Sequence, residues 1–344
     1  ANIESIGVGA FYDCKALTSV TLPASVKEIG DEAFLNCSGV KAINLPASLE
    51  KLGSCAFSMT SISDLTIDSN NANFKLVDGV LYSKDNSLLY LVQMKGLKSV
   101  NVASKCIGIN GGAFWGSEVE KVTLPKGILA IDDYAFCQSA LKEINFPSSL
   151  IFIGEQGFAA TNLSGELRLP VNMSIVSDGA FAGNNGITSV VIPSLVQYIY
   201  AHAFHNSANL ATITCEGSKA PEFVGVYEEY DSPFYKVKAT SVNIPKGSSK
   251  SYSSQYWTDY FSLKESDKAV LAVESTSPAN GDAFTNKNFS ASFDITFGEP
   301  VTIVEKNPEA YLRVSATGGN PLLAGKVLEP DDAWYVTYPS SSKE

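Results

Sequence analysis

Apolar and polar positions recur along this chain at a fixed period. The segment LTSVTLPASVKEIGDEAFLNC returns as VKAINLPASLEKLGSCAFSMT, as VEKVTLPKGILAIDDYAFCQS and as LKEINFPSSLIFIGEQGFAAT. Each copy ends on an Ala-Phe step (Gly157-Phe158 in one), anchored at Phe11, Phe34, Phe57, Phe114, Phe136, Phe158, Phe181 and Phe204. Successive anchors lie 22 or 23 residues apart, except for one interval of 57. Four residues before the small residue stand Ile6, Ile29, Leu52, Ile109, Ile131, Ile153, Val176 and Ile199. Seven before it stand Ile3, Val26, Leu49, Cys106, Ile128, Leu150, Met173 and Val196. Ten before it comes a proline, at Pro23, Pro46, Pro125, Pro147, Pro170 and Pro193, with Ala103 the exception.

Self-similarity at this period predicts a solenoid. Ahead of each proline a short alternating stretch (Val20 and Leu22, Ile43 and Leu45, Val122 and Leu124) has the pattern of a strand with one buried face. Proline ends that strand because it has no N–H for the ladder. A second apolar set, such as Val26, Ile29 and Phe34, then returns the chain across the core. The alanine column allows close approach of neighbouring coils, and the phenylalanine column is expected to stack. No single coil can bury its own apolar face, so only stacking confers stability. The long interval contains an insertion near 68–96, whose Asp78-Gly79 and Lys84-Asp85-Asn86 steps predict the turns of a β-hairpin unit.

The pattern LxxVxLPxSVxxIGxxAFxxC resembles the BspA-type leucine-rich repeat of surface proteins from anaerobic Gram-negative bacteria and some protists. The inserted NFKLVDGVLYSKDNSLLYL is similar to an island common in that family, and SVNIPKGSSKSYSSQYWTDYF to its usual last strand and cap. The resemblance implies a β-rich leucine-rich-repeat solenoid over 1–265, with parallel strands on one face and a C-terminal cap near 216–265. It also implies a cell-surface or secreted location. No signal peptide opens the chain and residue 1 falls inside a repeat, so a signal peptide and an N-terminal cap are expected upstream. Past Ser266 the columns stop. There SPANGDAF and the alternating Phe289, Ala291, Phe293, Ile295 and Phe297 resemble a bacterial Ig-like β-sandwich. Residues 270–344 are fewer than the ~100 of such a sandwich, so strands are expected to be missing or the unit incomplete.

Composition narrows the chemistry. The 344 residues carry 25 Lys and Arg against 36 Asp and Glu, a net charge of −11, which disfavours binding to phosphate backbones. No apolar run reaches the ~18 residues of a membrane span. The six cysteines sit in repeat columns: Cys14 and Cys37 share one with Thr60, Ser117, Ser139, Thr161 and Ser207, and Cys106 replaces an aliphatic residue. Free, buried, inert thiols are therefore expected, and without a CxxC pair no zinc site. His202 and His205, the only two histidines, align with positions such as Glu32 and Leu35 and are expected on the surface without a metal. There is no GxSxG elbow, and Asp132-Asp133, Glu228-Glu229 and Asp331-Asp332 read as solvated turns. No catalytic residue, metal or cofactor is expected.

Two surfaces remain as candidates. The central outward residue of each strand forms a stripe of Thr21, Asn44, Thr66, Asn101, Thr123, Asn145, Arg168, Val191, Thr214 and Asn243. Such a stripe can contact a ligand, although threonine also suits exposed strands and stacked side chains can bond along the ladder. The second is aromatic: ten of the 39 residues from Phe223 to Phe261 are Phe, Tyr or Trp, against 36 in the whole chain. Several are needed to close the open end of the stack, while Tyr227, Tyr230 and Trp257 are candidates for an exposed patch that stacks on sugar or protein. The expectation is a monomeric, non-enzymatic, adhesin-like protein of the cell surface that recognises host or neighbouring-cell macromolecules, an extracellular protein or glycan, through its repeat surface, the alternatives being a carbohydrate-binding protein for glycan capture and a structural spacer.

Overall fold

The computed structural model describes residues 3–253 and 256–269, and beyond them only the strands Val273–Ser277, Asp294–Phe297, Leu312–Arg313 and Val327–Leu328. Contacts divide the chain into two compact units, Ala1–Asp267 and Lys268–Glu344. In the second, Val273–Ser277 pairs antiparallel with Asp294–Phe297, and Leu312–Arg313 with Val327–Leu328. The remainder of the expected Ig-like sandwich lies outside the described residues.

The first unit is a β-solenoid whose coils form two parallel ladders rather than one. On the strand face, Ala42–Leu45 pairs with Asp64–Ile67, and in a separate sheet Ser99–Asn101, Lys121–Thr123 and Glu143–Ile144 pair in register. Next come Ser164–Arg168, Gly186–Ile192, Thr212–Cys215 and Ser241–Lys246, with Ser262–Ala269 at the edge. The return segment makes a second ladder of two- and three-residue strands, from Ser5–Ile6, Glu28–Ile29 and Lys51–Leu52 to Tyr198–Tyr200 and Glu222–Val224. Residues 18–22, expected as the first strand, pack Val20 and Leu22 against the core without joining a ladder.

Both ladders follow from the Ala-Phe turn. The residues two before and two after each Phe take positive φ: Glu32 and Asn36, Tyr134 and Gln138, Gln156 and Ala160, His202 and Asn206. This left-handed backbone costs ~1–2 kcal/mol per non-glycine residue. In exchange it turns three N–H groups per turn toward the next coil. Tyr134, Phe136 and Gln138 donate to the carbonyls of Glu155, Gly157 and Ala159 at 2.8 Å each. The following coil repeats this from Gln156, Phe158 and Ala160 to Asp178, Ala180 and Ala182. Coils approach so closely that a Cβ at Gly154 would collide with the backbone nitrogen of Asp133, which explains the Ile-Gly step.

The Phe rings stack along the axis in two runs. Phe11, Phe34 and Phe57 have centroids 5.0 and 5.1 Å apart. Phe114, Phe136, Phe158, Phe181 and Phe204 follow at 4.4, 4.8, 5.5 and 5.6 Å. The insertion separates the runs. Its strands Phe74–Val77, Val80–Ser83 and Leu88–Val92 form an antiparallel meander, turning at Asp78 (φ 49°) and Gly79 (φ 78°) as a type I′ hairpin requires. Leu88 and Leu89 then pair in parallel with Gly108 and Ile109, so the insertion supplies an extra rung to the return ladder. It also repairs the one break in the proline column: Ala103 has an N–H, and the Tyr82 phenol oxygen accepts it at 3.2 Å.

Phe158 is fully buried between two stacked neighbours, whereas Phe11 has one stacked neighbour and a ring 40% exposed. Phe158→Ala is expected to destabilise the solenoid by ~3–5 kcal/mol, and Phe11→Ala by well under half as much. Urea denaturation followed by backbone circular dichroism measures both.

Candidate functional site

On the strand face, Asn44, Thr66, Asn101, Thr123, Asn145 and Arg168 are exposed, and each lies on or directly beside a ladder strand. Thr21 is exposed but belongs to no strand, and Thr214 is half-buried. Much of the stripe is occupied with itself. Thr66 donates through Oγ1 to Asn44 Oδ1 at 3.0 Å. Asn145 accepts the Leu124 N–H at 2.7 Å and donates to the Leu124 carbonyl at 3.1 Å, so its amide replaces a rung of the ladder. Asn243 donates to Thr214 Oγ1 at 3.3 Å. Arg168 reaches across two rungs to Glu216, with Nη1 to Oε1 at 2.7 Å. Val191, in register between Arg168 and Thr214, is buried where the alternation predicts an outward residue.

Charged residues beside the stripe are also paired. Glu120 meets Lys98 at 3.6 Å and Lys142 at 2.7 Å, and Lys121 meets Glu143 at 2.7 Å. At this exposure solvent screens each pair, so the ladder adds alignment more than stability. Asn101 and Thr123, opposite one another on adjacent rungs, make no side-chain hydrogen bond among the described residues, and neither does Thr21, which lies on no strand.

Part of the column shared by Cys14 and Cys37 is hydrogen-bonded to Phe carbonyls, whereas the buried Ser117 and Ser139 hydroxyls of the same column have no partner among the described residues. Cys37 donates through Sγ to the Phe11 carbonyl at 2.9 Å, as Thr60 Oγ1 does to the Phe57 carbonyl at 2.8 Å. Asn184, fully buried in the same column, accepts the Thr161 N–H and donates to the Phe158 and Phe181 carbonyls. All six thiols are free, and only Cys14 is exposed. Burial pushes the thiols of Cys55 and Cys215 up to about 12 and that of Cys137 to about 11, far from the thiolate range.

The aromatic segment divides into a plug and a surface. Trp257 is fully buried and donates through Nε1 to the Pro221 carbonyl at 2.9 Å, and Tyr252 donates to the Gly217 carbonyl at 2.8 Å. Trp257 therefore closes the core and contributes nothing to an exposed patch. Phe234 continues the Phe stack, 5.3 Å from Phe204. Moreover, Phe204 donates its N–H to the Pro233 carbonyl at 2.7 Å, so Pro233-Phe234 is a ninth Ala-Phe turn with proline in place of alanine. The 30-residue interval before Phe234 accommodates an extra loop, 225–231. On it, Tyr227 is 90% exposed and Tyr230 56%.

Beneath that loop lie both histidines. The expectation of two ordinary surface positions fails for His205, which is only 7% exposed, because Tyr230 and Tyr235 cover it at centroid distances of 4.8 and 5.0 Å. His202 sits between two carboxylates, with Nδ1 3.3 Å from Asp178 and Nε2 3.7 Å from Asp231. Asp231 in turn accepts the N–H groups of Tyr227 and Glu228 at 3.0 Å each, holding the loop in shape. Among the described residues no cluster of three His, Cys, Asp or Glu is placed to hold a metal, and no helix is long and apolar enough to cross a membrane.

The sequence model of the BspA type leucine rich repeat region matches in six copies, over residues 4–104 and 107–220. The chain belongs to the BspA-type leucine-rich-repeat family. Among solved structures it is similar to the pneumococcal vaccine antigen PcpA, at 25% identity and a TM-score of 0.62, over 78% of this chain and 66% of that one. It is also similar in fold to a leucine rich cell surface protein from Faecalibacterium prausnitzii, at 20% identity and a TM-score of 0.52, over 72% of this chain and 60% of the other. The match thus spans slightly less than two thirds of either structure. A search of curated proteins finds no significant match.

Two measurements bear on this BspA-type solenoid. A thiol reagent is expected to modify one cysteine, Cys14, in the native protein and all six after denaturation. Burial, and secondarily His202 and Lys236, hold the His205 pKa below the ordinary value. The unfolded chain then binds the proton more readily, so stability present above about pH 6.5 declines as pH falls below it. Glu118, Glu120 and Glu265 are held below the usual carboxylate range by their hydrogen-bond partners and titrate lower still. The melting temperature is expected to drop as pH falls below about 6.5, by less in His205→Phe than in wild type.

Proposed function

We propose that this chain is a non-enzymatic binding protein of a bacterial cell surface, adhesin-like, which recognises extracellular protein through its repeat surface. The observation that carries the proposal is the strand face: Asn101 and Thr123 stand exposed in register on adjacent rungs and have no side-chain hydrogen bond among the described residues. Around them Asn44, Thr66, Asn145, Arg168 and the paired lysines and glutamates form a rigid polar surface whose internal bonds are already made. Rigid, pre-formed surfaces lose little entropy on association, which suits a broad and shallow protein contact. Location on or outside the cell follows the similarity to a vaccine antigen and a cell surface protein. A second reading, glycan capture, rests on the exposed rings of Tyr227 and Tyr230.

The test is a parallel screen of immobilised extracellular-matrix proteins and a glycan array, with wild type beside Asn101→Arg/Thr123→Arg. At least one matrix protein is expected to bind, with affinity reduced ~10-fold or more in the variant, as for a central interface position. Binding to glycans alone, or protein binding that the variant leaves intact, would overturn the strand-face assignment.

A further inference from the structure

The 225–231 loop combines three features found together nowhere else among the described residues. It is acidic: residues 222–231 include Glu222, Glu228, Glu229 and Asp231 and no Lys or Arg. It presents aromatic rings, with Tyr227 almost wholly solvated and Tyr230 more than half exposed. It is also held in place, because Asp231 accepts two N–H groups from within the loop, its carbonyl accepts the His202 N–H at 3.2 Å, and Tyr230 rests against His205. A ring exposed on a mobile loop would lose much of its contact energy to ordering. This loop is ordered before anything binds.

We infer that the 225–231 loop is the docking point for a cationic segment of the protein partner, taking arginine or lysine side chains on the Tyr227 and Tyr230 rings beside the Glu228 and Glu229 carboxylates. The inference rests on the protein-binding reading above and supplies the chemistry of the partner. The ring face attracts a cation electrostatically. Carboxylates beside it supply charge-assisted hydrogen bonds to the same group. Among the described residues Glu228 and Glu229 make no ion pair, so neither has to break one first. The cluster already holds a cation in this way, for Lys236 Nζ lies over the Tyr235 ring, 5.1 Å from its centroid. A pyranose fits less well: Tyr230 meets the two histidine rings at 63° and 69° rather than extending a flat platform for a sugar ring.

The probe is a fluorescein-labelled peptide of ten alternating glycine and arginine residues, with the glycine–glutamate peptide as control and an N-acetylglucosamine tetramer as competitor, read by fluorescence anisotropy on the full chain. The arginine peptide is expected to bind and the glutamate peptide not. Tyr227→Ala/Tyr230→Ala is expected to weaken binding ~10-fold or more, while Tyr227→Phe/Tyr230→Phe, which keeps the rings, stays within about twofold. Glu228→Gln/Glu229→Gln is expected to weaken binding and flatten its salt dependence, whereas Glu50→Gln/Asp64→Asn removes the same charge elsewhere without effect. Equal losses in both charge variants, or no loss in the tyrosine-to-alanine variant, would reduce the effect to diffuse net charge and overturn the inference, as would displacement by the tetramer. Asn101→Arg/Thr123→Arg should leave peptide binding intact. Matrix-protein binding that survives loss of the tyrosines would sink this inference alone. Peptide binding without any matrix-protein partner would sink the wider reading instead.

Discussion

Everything in this solenoid depends on the left-handed backbone at the Ala-Phe turns. A chain that only alternated apolar and polar residues could form strands, but nothing would require each coil to meet the next at a fixed offset. The positive φ values two residues either side of each Phe turn three consecutive alternate N–H groups along the axis, onto the next coil's carbonyls. Their strain, ~1–2 kcal/mol at each non-glycine position, is offset by three hydrogen bonds per turn at ~0.5–1.5 kcal/mol each and by burial of the Phe ring. The turn is favourable only when a neighbouring coil is present. That is the local origin of the requirement that repeats stack.

Most of this was legible because period and burial are properties of columns. The Phe, Ile and Pro columns each state one physical need eight or fewer times over, and chance variation at one copy does not obscure it. Substitutions within a column are readable in the same way. Cys37, Thr60 and Asn184 differ chemically, yet each carries a small donor that reaches a Phe carbonyl. Ala103 shows the converse. Losing the proline adds an N–H, and the structure supplies Tyr82 from the insertion to accept it. The second ladder was less visible, since two-residue strands such as Glu28–Ile29 have no alternation to read.

Where the reading failed, a residue's surroundings came from a neighbouring coil rather than from its own. Val191 holds an outward place in the alternation, yet it is buried on a rung flanked by Arg168 and Thr214. His205 aligns with Leu35, itself buried, and a loop inserted one coil later covers it. Trp257 has the composition of a binding residue and the position of a plug. The ninth turn was hidden by two departures at once, proline in the alanine column and an interval of 30 residues. The trace left in the sequence is Pro233-Phe234-Tyr235 set against Ala203-Phe204-His205, which becomes informative once the phenylalanine stack is followed to its end.

The same contrast bears on where recognition is placed. A strictly periodic surface satisfies its own polar groups, because every side chain has a similar neighbour one rung away. Asn44 with Thr66, Lys121 with Glu143 and Glu120 with Lys142 are consequences of the repeat as much as features of a site. Specific chemistry needs a residue whose neighbours differ from it, and a solenoid provides that at its interruptions. The loop at 225–231 is such an interruption, set where the last regular turn hands the stack to its cap. There Asp231 ties the loop to His202, Tyr230 packs on His205, and Tyr227, Glu228 and Glu229 stand exposed. On the proposed reading the repeats supply rigidity and breadth, and their irregularity the surface on which one partner is distinguished from another.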